Sequence, residues 1–154
     1  ELAQMLNASG LTTEYESEVR TRVWHKACFN VAMNGICALA DAPPGLVYRT
    51  PQLMSQAHAL ADEGIAVAHA EGAMVDAGAL HTMIDFAAQE HTYHQPSMLQ
   101  DVRADRETEI ESLNGYIVAA AARHNISVPR NELIYGLVLA WQASKAFWVT
   151  QPSS

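Results

Sequence analysis

Apolar residues recur along this chain at spacings of three and four, and no useful length of sequence alternates with the period of two expected of a strand. The pattern predicts an all-α domain of five or six helices, two of them long. The predicted helices cover residues 1–8, 18–40, 51–71, 78–90, 97–123 and 131–148. The polar segment 11–19 could be extended.

Turn and capping residues set the ends of these predicted helices. Gly10 is in the position favoured for a left-handed cap, and the segment 41–45, Asp-Ala-Pro-Pro-Gly, is a strong turn signal. Ser97, followed three residues later by Gln100, has the pattern of a capping box, so its hydroxyl could have only a structural role. Pro129 is expected to block an early start of the last helix.

Three polar residues interrupt an otherwise apolar part of the second predicted helix. Lys26, Asn30 and Asn34 are each one turn apart, so they form a single row. A helix that is apolar nearly all round is usually buried, and a buried amide without partners costs about 1–3 kcal/mol. The row is therefore either the solvent stripe of an ordinary amphipathic helix or the lining of a polar cleft. The cleft is favoured, because solvent stripes are usually wider and more charged.

A carboxylate further along the chain is the natural partner of this row. Glu109 shares helical spacing with Val102 and Ile117, which predicts that it lies on or beside an inward-facing stripe. An inward carboxylate needs a lysine or several hydrogen-bond donors, and Lys26 is the available cation. The alternative is that Glu109 lies at the edge of the stripe and pairs with Arg106.

Composition and charge exclude several classes of function. The chain has 154 residues, 49% of them hydrophobic, which is enough for one domain with its own core. The net charge is −8 and the nine Lys and Arg residues are scattered, so we expect no nucleic-acid partner. No apolar run approaches about eighteen residues, and no signal peptide is visible, so we expect neither a membrane span nor secretion. Cys28 and Cys37 are expected to be free thiols in a reducing, cytoplasmic compartment.

The seven histidines raise the question of a metal site. His91 and His94 are three residues apart after Glu90, and His81 lies earlier. A carboxylate-bridged metal site in a helical bundle would favour Glu-x-x-His motifs on two helices, and no such pair is present. We therefore predict no metal site.

The sequence resembles the C-terminal domain of the ketopantoate reductase (2-dehydropantoate 2-reductase) family. The segments that carry the resemblance are VWHKACFNVAMNGICAL, PSMLQDVRADRETEIESLNGYIV and HNISVPRNELIY. They contain, in the family's order, a Trp-x-Lys opening, asparagines four and eight residues after the lysine, a Ser-Met-x-Gln-Asp block, a Thr-Glu-Ile motif and a late Pro-x-Asn. Each motif is weak alone, but the ordered set is specific.

The resemblance implies the all-α half of a 6-phosphogluconate dehydrogenase-like reductase. Residues 1–18 would be a remnant of an N-terminal Rossmann domain and its linker, and residues 19–150 the substrate-binding and catalytic domain. The whole enzyme would use NADPH to reduce 2-dehydropantoate to pantoate, a precursor of coenzyme A, and could be a homodimer. NADPH would be bound mainly by the Rossmann domain, whose Gly-x-Gly-x-x-Gly motif is absent here, so this fragment alone is expected to be inactive.

The resemblance also implies roles for five residues. Lys26 would be the general acid that protonates the carbonyl oxygen, and Glu109 the carboxylate that contacts the substrate and helps to set the site. Asn30 and Asn34 would hold the substrate and orient the lysine, and Ser97 would bind the substrate's polar end.

One departure leaves the exact keto acid open. Pro44 stands where some relatives have an asparagine that contributes to the substrate site. A related 2-keto acid reductase of other specificity therefore remains an alternative. A non-enzymatic helical module for ligand binding or dimerisation is another, and it predicts that the lysine row lies away from Glu109.

Overall fold

The computed structural model describes residues 9, 10 and 19–149, except for the side chains of residues 145, 146, 148 and 149. This part of the chain contains seven α-helices, one π-helical turn and no strand, which confirms the all-α prediction. The elements are α1 Val19–Ala40, α2 Pro44–Tyr48, α3 Pro51–Ala70, α4 Ala77–Glu90, α5 Ser97–Arg103, the π turn Glu111–Gly115, α6 Tyr116–His124 and α7 Pro129–Val149. The helix expected at 1–8 and the extended segment expected at 11–19 lie outside the described residues, apart from Val19, which begins α1.

Helix α1 is the centre of the fold. It packs against α2, α3, α4, α5, α7 and the π turn, and every residue from 31 to 38 is buried. Small residues allow its neighbours to approach closely. A Cβ atom at Gly64 of α3 would lie 3.2 Å from the sulfur of Cys28, and one at Gly35 of α1 would collide with the side chain of Ile134 in α7. Apolar burial on nearly every side therefore holds α1 in place.

The prediction of one long helix over residues 97–123 is wrong, because α5 ends at Arg103. Asp105 has a left-handed backbone at φ +58°. Its N–H donates to the carbonyl of Val102 at 3.2 Å, and the N–H of Arg106 donates to that of Asp101 at 2.8 Å. These two bonds form a Schellman end, which needs no glycine when an Asp accepts the left-handed conformation. Glu109 consequently lies in an irregular segment and not on a helical stripe.

Other predicted boundaries are close to those observed, with two errors. The turn predicted at 41–45 leads directly into the short helix α2, Pro44–Tyr48, which was not predicted. The left-handed backbone predicted at Gly10 is present at φ +88°, and Asn125 ends α6 in the same region at φ +55°. Pro129 begins α7 two residues before the predicted start. A proline in the first turn of a helix loses no hydrogen bond, so it starts α7 and does not block it. No helix among the described residues combines the length and apolar character needed to span a membrane.

Candidate functional site

One cavity of about 370 Å³ brings the five predicted site residues together. Helix α1 contributes Lys26, Asn30 and Asn34, the first residue of α5 is Ser97, and Glu109 comes from the irregular segment before the π turn. The remaining lining residues are Phe29, Met33, Pro44, Ala87, Ala88, His91, His94 and Pro96. Residues that are distant in sequence thus share one concave surface.

The lysine row runs from the solvent into the protein. Lys26 is exposed, Asn30 is partly buried and Asn34 is 4% exposed. A solvent stripe would leave all three side chains in water, so the prediction of a polar cleft is confirmed over the prediction of an ordinary amphipathic face. The ammonium lies at the open end of the row, where a ligand can reach it.

The carboxylate of Glu109 joins two elements of the cavity wall. Its Oε1 accepts a hydrogen bond from Ser97 Oγ at 2.6 Å and one from Asn34 Nδ2 at 3.4 Å. Arg106 instead donates to Asp101 at 3.0 and 2.7 Å, so the alternative pairing of Glu109 with Arg106 is wrong. Lys26, the cation expected to pair with Glu109, forms no ion pair with it among the described contacts, and the donors Ser97 and Asn34 take that place.

Ser97 does not have the capping role that its sequence pattern predicts. Pro96 occupies the cap position, and no side chain caps α5. Gln100, the expected partner in a capping box, donates instead to the backbone carbonyl of Gln95 at 2.7 Å. The hydroxyl of Ser97 is therefore available to hold Glu109, as its bond of 2.6 Å shows.

The cavity has a polar side and an apolar side. On the surface of α1, the asparagine row lies to one side of Lys26, whereas Phe29 and Met33 lie to the other, as the helical rotation of about 100° per residue requires. Ala87 and Ala88 of α4 line the cavity too. Helix α2 brings Pro44 to this cavity because Gly45 N–H donates to the carbonyl of Thr92 at 3.2 Å, an approach that a side chain at Gly45 would prevent. The apolar residues flank the polar row, so helical spacing could have revealed Phe29 and Met33.

Two histidines at the cavity were missed as site residues. His91 and His94 follow the end of α4, and their ring centres are 6.3 Å apart. The folding of this segment against α2 brings them to the cavity, whereas their spacing after Glu90 raised only the question of a metal site. His81 is bound to Asp62 at 2.8 Å and does not line this cavity. Among the described side chains, no group of three or more His, Cys, Asp or Glu could hold a metal ion.

The ionisable groups limit the chemistry of this site. Burial raises the pKa of both cysteine thiols, Cys28 and Cys37, to about 12, so they remain protonated at neutral pH and are poor nucleophiles. The cavity offers one ammonium, one carboxylate, two imidazoles, two primary amides and one hydroxyl. This set can bind a polar ligand with carbonyl or carboxylate oxygens and can transfer a proton through Lys26.

Solved reductases and dehydrogenases have this helical fold. The structure is similar to a PanE/ApbA family ketopantoate reductase from Ralstonia eutropha, with a TM-score of 0.86 and 28% identity over 94% of this chain and 48% of that one. It is also similar to D-mandelate dehydrogenase in complex with NADH and anilino(oxo)acetate, with a TM-score of 0.84 and 27% identity over 93% of this chain and 60% of the other.

The chain belongs to the ketopantoate reductase family, since residues 18–142 match the family described as ketopantoate reductase PanE/ApbA C terminal. The 2-dehydropantoate 2-reductase of Archaeoglobus fulgidus is 33% identical over 137 residues, which cover 89% of this chain and 46% of that protein. The enzyme of the same name from Streptococcus pyogenes is 30% identical over 93% of this chain and 47% of its own length. The chain thus spans about half the length of the curated relatives it matches.

Proposed function

We propose that this chain is the substrate-binding and catalytic half of an NADPH-dependent reductase that converts 2-dehydropantoate to pantoate. The observation that carries the proposal is the single cavity that gathers Lys26, Asn30, Asn34, Ser97 and Glu109. These are the positions at which the sequence matches the family's motifs. Their convergence from three separate segments of the chain argues against the non-enzymatic module, for which the lysine row would lie away from Glu109.

Lys26 acts as the general acid in this proposal. Addition of hydride to a keto carbon places negative charge on the oxygen, and a nearby ammonium stabilises that charge and then donates the proton. The exposure of Lys26 at the mouth of the cavity supports this role, because the ammonium can reach a ligand there. The product is an alcohol, and the lysine regains its proton from water.

The other four residues hold the substrate in position. Ser97 donates a hydrogen bond to Glu109, so its oxygen can accept a hydrogen bond from a hydroxyl group of the substrate. Asn30 lies between Lys26 and Asn34 on the row, and its amide can either donate a hydrogen bond to the keto acid or accept one from it. Fixed geometry of this kind lowers the entropic cost of reaching the transition state.

NADPH would supply the hydride when bound. A second concavity of about 430 Å³ shares Lys26 and Phe29 with the first and is also lined by Thr21, Arg22, His25 and Met83. The two concavities meet at the lysine, which supports a reaction at the edge of this domain, facing the Rossmann domain of the same protein. A homodimeric assembly and a cytoplasmic location, the latter expected from the two free cysteines, remain predictions.

The test uses the two-domain enzyme, with NADPH oxidation as the readout. With 2-dehydropantoate, Lys26→Ala should lower kcat by about 10²–10⁴-fold, the usual contribution of a general acid. Arg49→Ala, an exposed cation that does not line the cavity, is the matched control and should leave kcat unchanged.

Two results would contradict this proposal. An unchanged kcat in the Lys26→Ala enzyme would show that Lys26 is not the general acid. Turnover of other 2-keto acids without turnover of 2-dehydropantoate would retain the mechanism but reject the substrate, and Pro44 would then be the first position to exchange for asparagine.

A further inference from the structure

Three buried polar side chains outside the cavity form a continuous chain of hydrogen bonds, which we call the polar chain: Glu63, Asn131 and Asn114. Glu63 is 9% exposed, and both asparagines are 0% exposed. Asn131 belongs to the Pro-x-Asn motif of α7, for which the proposed chemistry has no use. Buried polar groups are costly unless they are paired, so this arrangement calls for a physical account.

The first link fixes the start of α7. Glu63 Oε2 accepts from the backbone N–H of Asn131 at 2.9 Å and from its Nδ2 at 2.8 Å. Glu63 Oε1 accepts from the backbone N–H of Arg130 at 3.1 Å and from its guanidinium at 3.3 Å. A carboxylate from α3 therefore satisfies the free N–H groups at the beginning of α7, where negative charge is favourable.

The second link reaches the π turn and helix α1. Asn131 Oδ1 accepts from Asn114 Nδ2 at 2.9 Å, and the same Nδ2 lies 3.5 Å from the carbonyl oxygen of Val31. Both partners are oxygen acceptors, so the Asn114 amide can face them only with its NH₂ group. Val31 follows Asn30 directly on α1, so this link ends beside the lysine row.

Backbone hydrogen bonds close the segment that carries both Glu109 and Asn114. The carbonyl of Glu109 accepts from the N–H of Ser112 at 3.1 Å and from that of Leu113 at 3.2 Å. The N–H of Gly115 donates to the carbonyl of Ile110 at 3.0 Å, which is the π-type bond of this turn. The segment 109–115 is thus closed on itself, so Glu109 and Asn114 belong to one compact turn. Local π turns of this kind are frequent at functional sites.

We infer that Asn114 is a positioning residue that sets the carboxylate of Glu109 against the lysine row of α1. The inference rests on the proposed function, since it gives Asn114 a role only through Glu109. The contact between Glu109 and Asn34 is long, at 3.4 Å, whereas the contact with Ser97 is 2.6 Å. A displacement of a few tenths of an ångström would lose the first contact and keep the second.

A double-mutant cycle in the two-domain enzyme tests this positioning role. Asn114→Ala should lower kcat/KM by about tenfold or more, because misplacement by about 1 Å can cost up to 10²-fold. In a Glu109→Ala background, the same substitution should change kcat/KM by less than about twofold, because coupled sites are not additive. Its effect on the melting temperature should be the same in both backgrounds. Asn114→Ser keeps one donor and enters the same cycle if the alanine variant does not fold.

Val67→Ala is the matched control, since Val67 is fully buried in α3 and does not line the cavity. It should lower the melting temperature with kcat/KM unchanged in both backgrounds. An Asn114→Ala effect on kcat/KM that is the same with and without Glu109 would overturn the positioning role and leave the proposed function standing. If Glu109→Ala itself left kcat/KM unchanged, the role of Glu109 in the proposed function and the inference would both be wrong.

Discussion

Lys26, Asn30 and Asn34 lie on one regular helix, whereas Ser97 and Glu109 are brought together by a helix end, an irregular segment and a π turn. The first wall of the cavity, which is formed by these three residues of α1, is held by apolar packing around that helix. The second wall, which contains Ser97 and Glu109, is held by hydrogen bonds from the Schellman end of α5 to the polar chain, in addition to the buried side chains of Met98 and Ile110. The two walls of one site therefore depend on different interactions, so different substitutions should disturb each of them.

The largest effect is expected where the polar support is removed. Glu63→Gln places an NH₂ group against the donors of Asn131 or Arg130, and leaving buried donors unpaired should lower the free energy of unfolding by about 3 kcal/mol. Urea unfolding of the chain measures this change. Asp62→Asn is the control, because this exposed carboxylate on the same helix should contribute less than about 1 kcal/mol. Equal effects of the two substitutions would show that the polar chain does not support the second wall.

A smaller effect is expected at the apolar side of α1. Gly35→Ala would place a methyl group against the side chain of Ile134 and should cost about 1–3 kcal/mol through overpacking. Gly136→Ala is the matched control, since it meets nothing within 4 Å and should stabilise α7 by up to about 1 kcal/mol through helix propensity. Melting temperatures of the two variants give the comparison. If both substitutions stabilised the chain, the close packing of α1 on α7 would be less restrictive than the structure indicates.

The smallest effect concerns a surface contact that joins Glu71, the residue at the C-terminal cap of α3, to α6. Hydrogen bonds from His124 and Arg123 lower the pKa of Glu71 from its ordinary value of 4.5. A lowered pKa means that the folded state favours the ionised form, so the stabilisation is present above pH 4.5 and disappears as the pH falls through the folded-state pKa. Wild type should therefore exceed Glu71→Gln in stability at pH 6 by a small margin that vanishes in acid, as urea unfolding across this pH range can test. A margin that increased in acid would show that folding raises the pKa of Glu71 and does not lower it.

Local sequence was enough to predict α1 and its polar row, because helical spacing alone decides which residues of a helix share a face. The same reasoning failed between Ser97 and Arg123. There the apolar spacing continues past the end of α5, but Asp105 takes up the left-handed conformation and Arg106 completes the cap. Propensity and period cannot reveal such an end, since Asp is compatible with both a helix and its termination. Glu109 was correctly expected near the lysine row, although the helical stripe used to place it does not exist.

The sequence by itself determined the helical class, the single row of Lys26, Asn30 and Asn34, and the membership of a family whose motifs occur in order. These properties depend on residues that are close in the chain or on motifs read one after another. Only the tertiary structure decided that Ser97 holds Glu109 and that Asn131 is tied to Asn114. Those contacts join residues 12 and 17 positions apart across irregular backbone, where no fixed period relates sequence to direction.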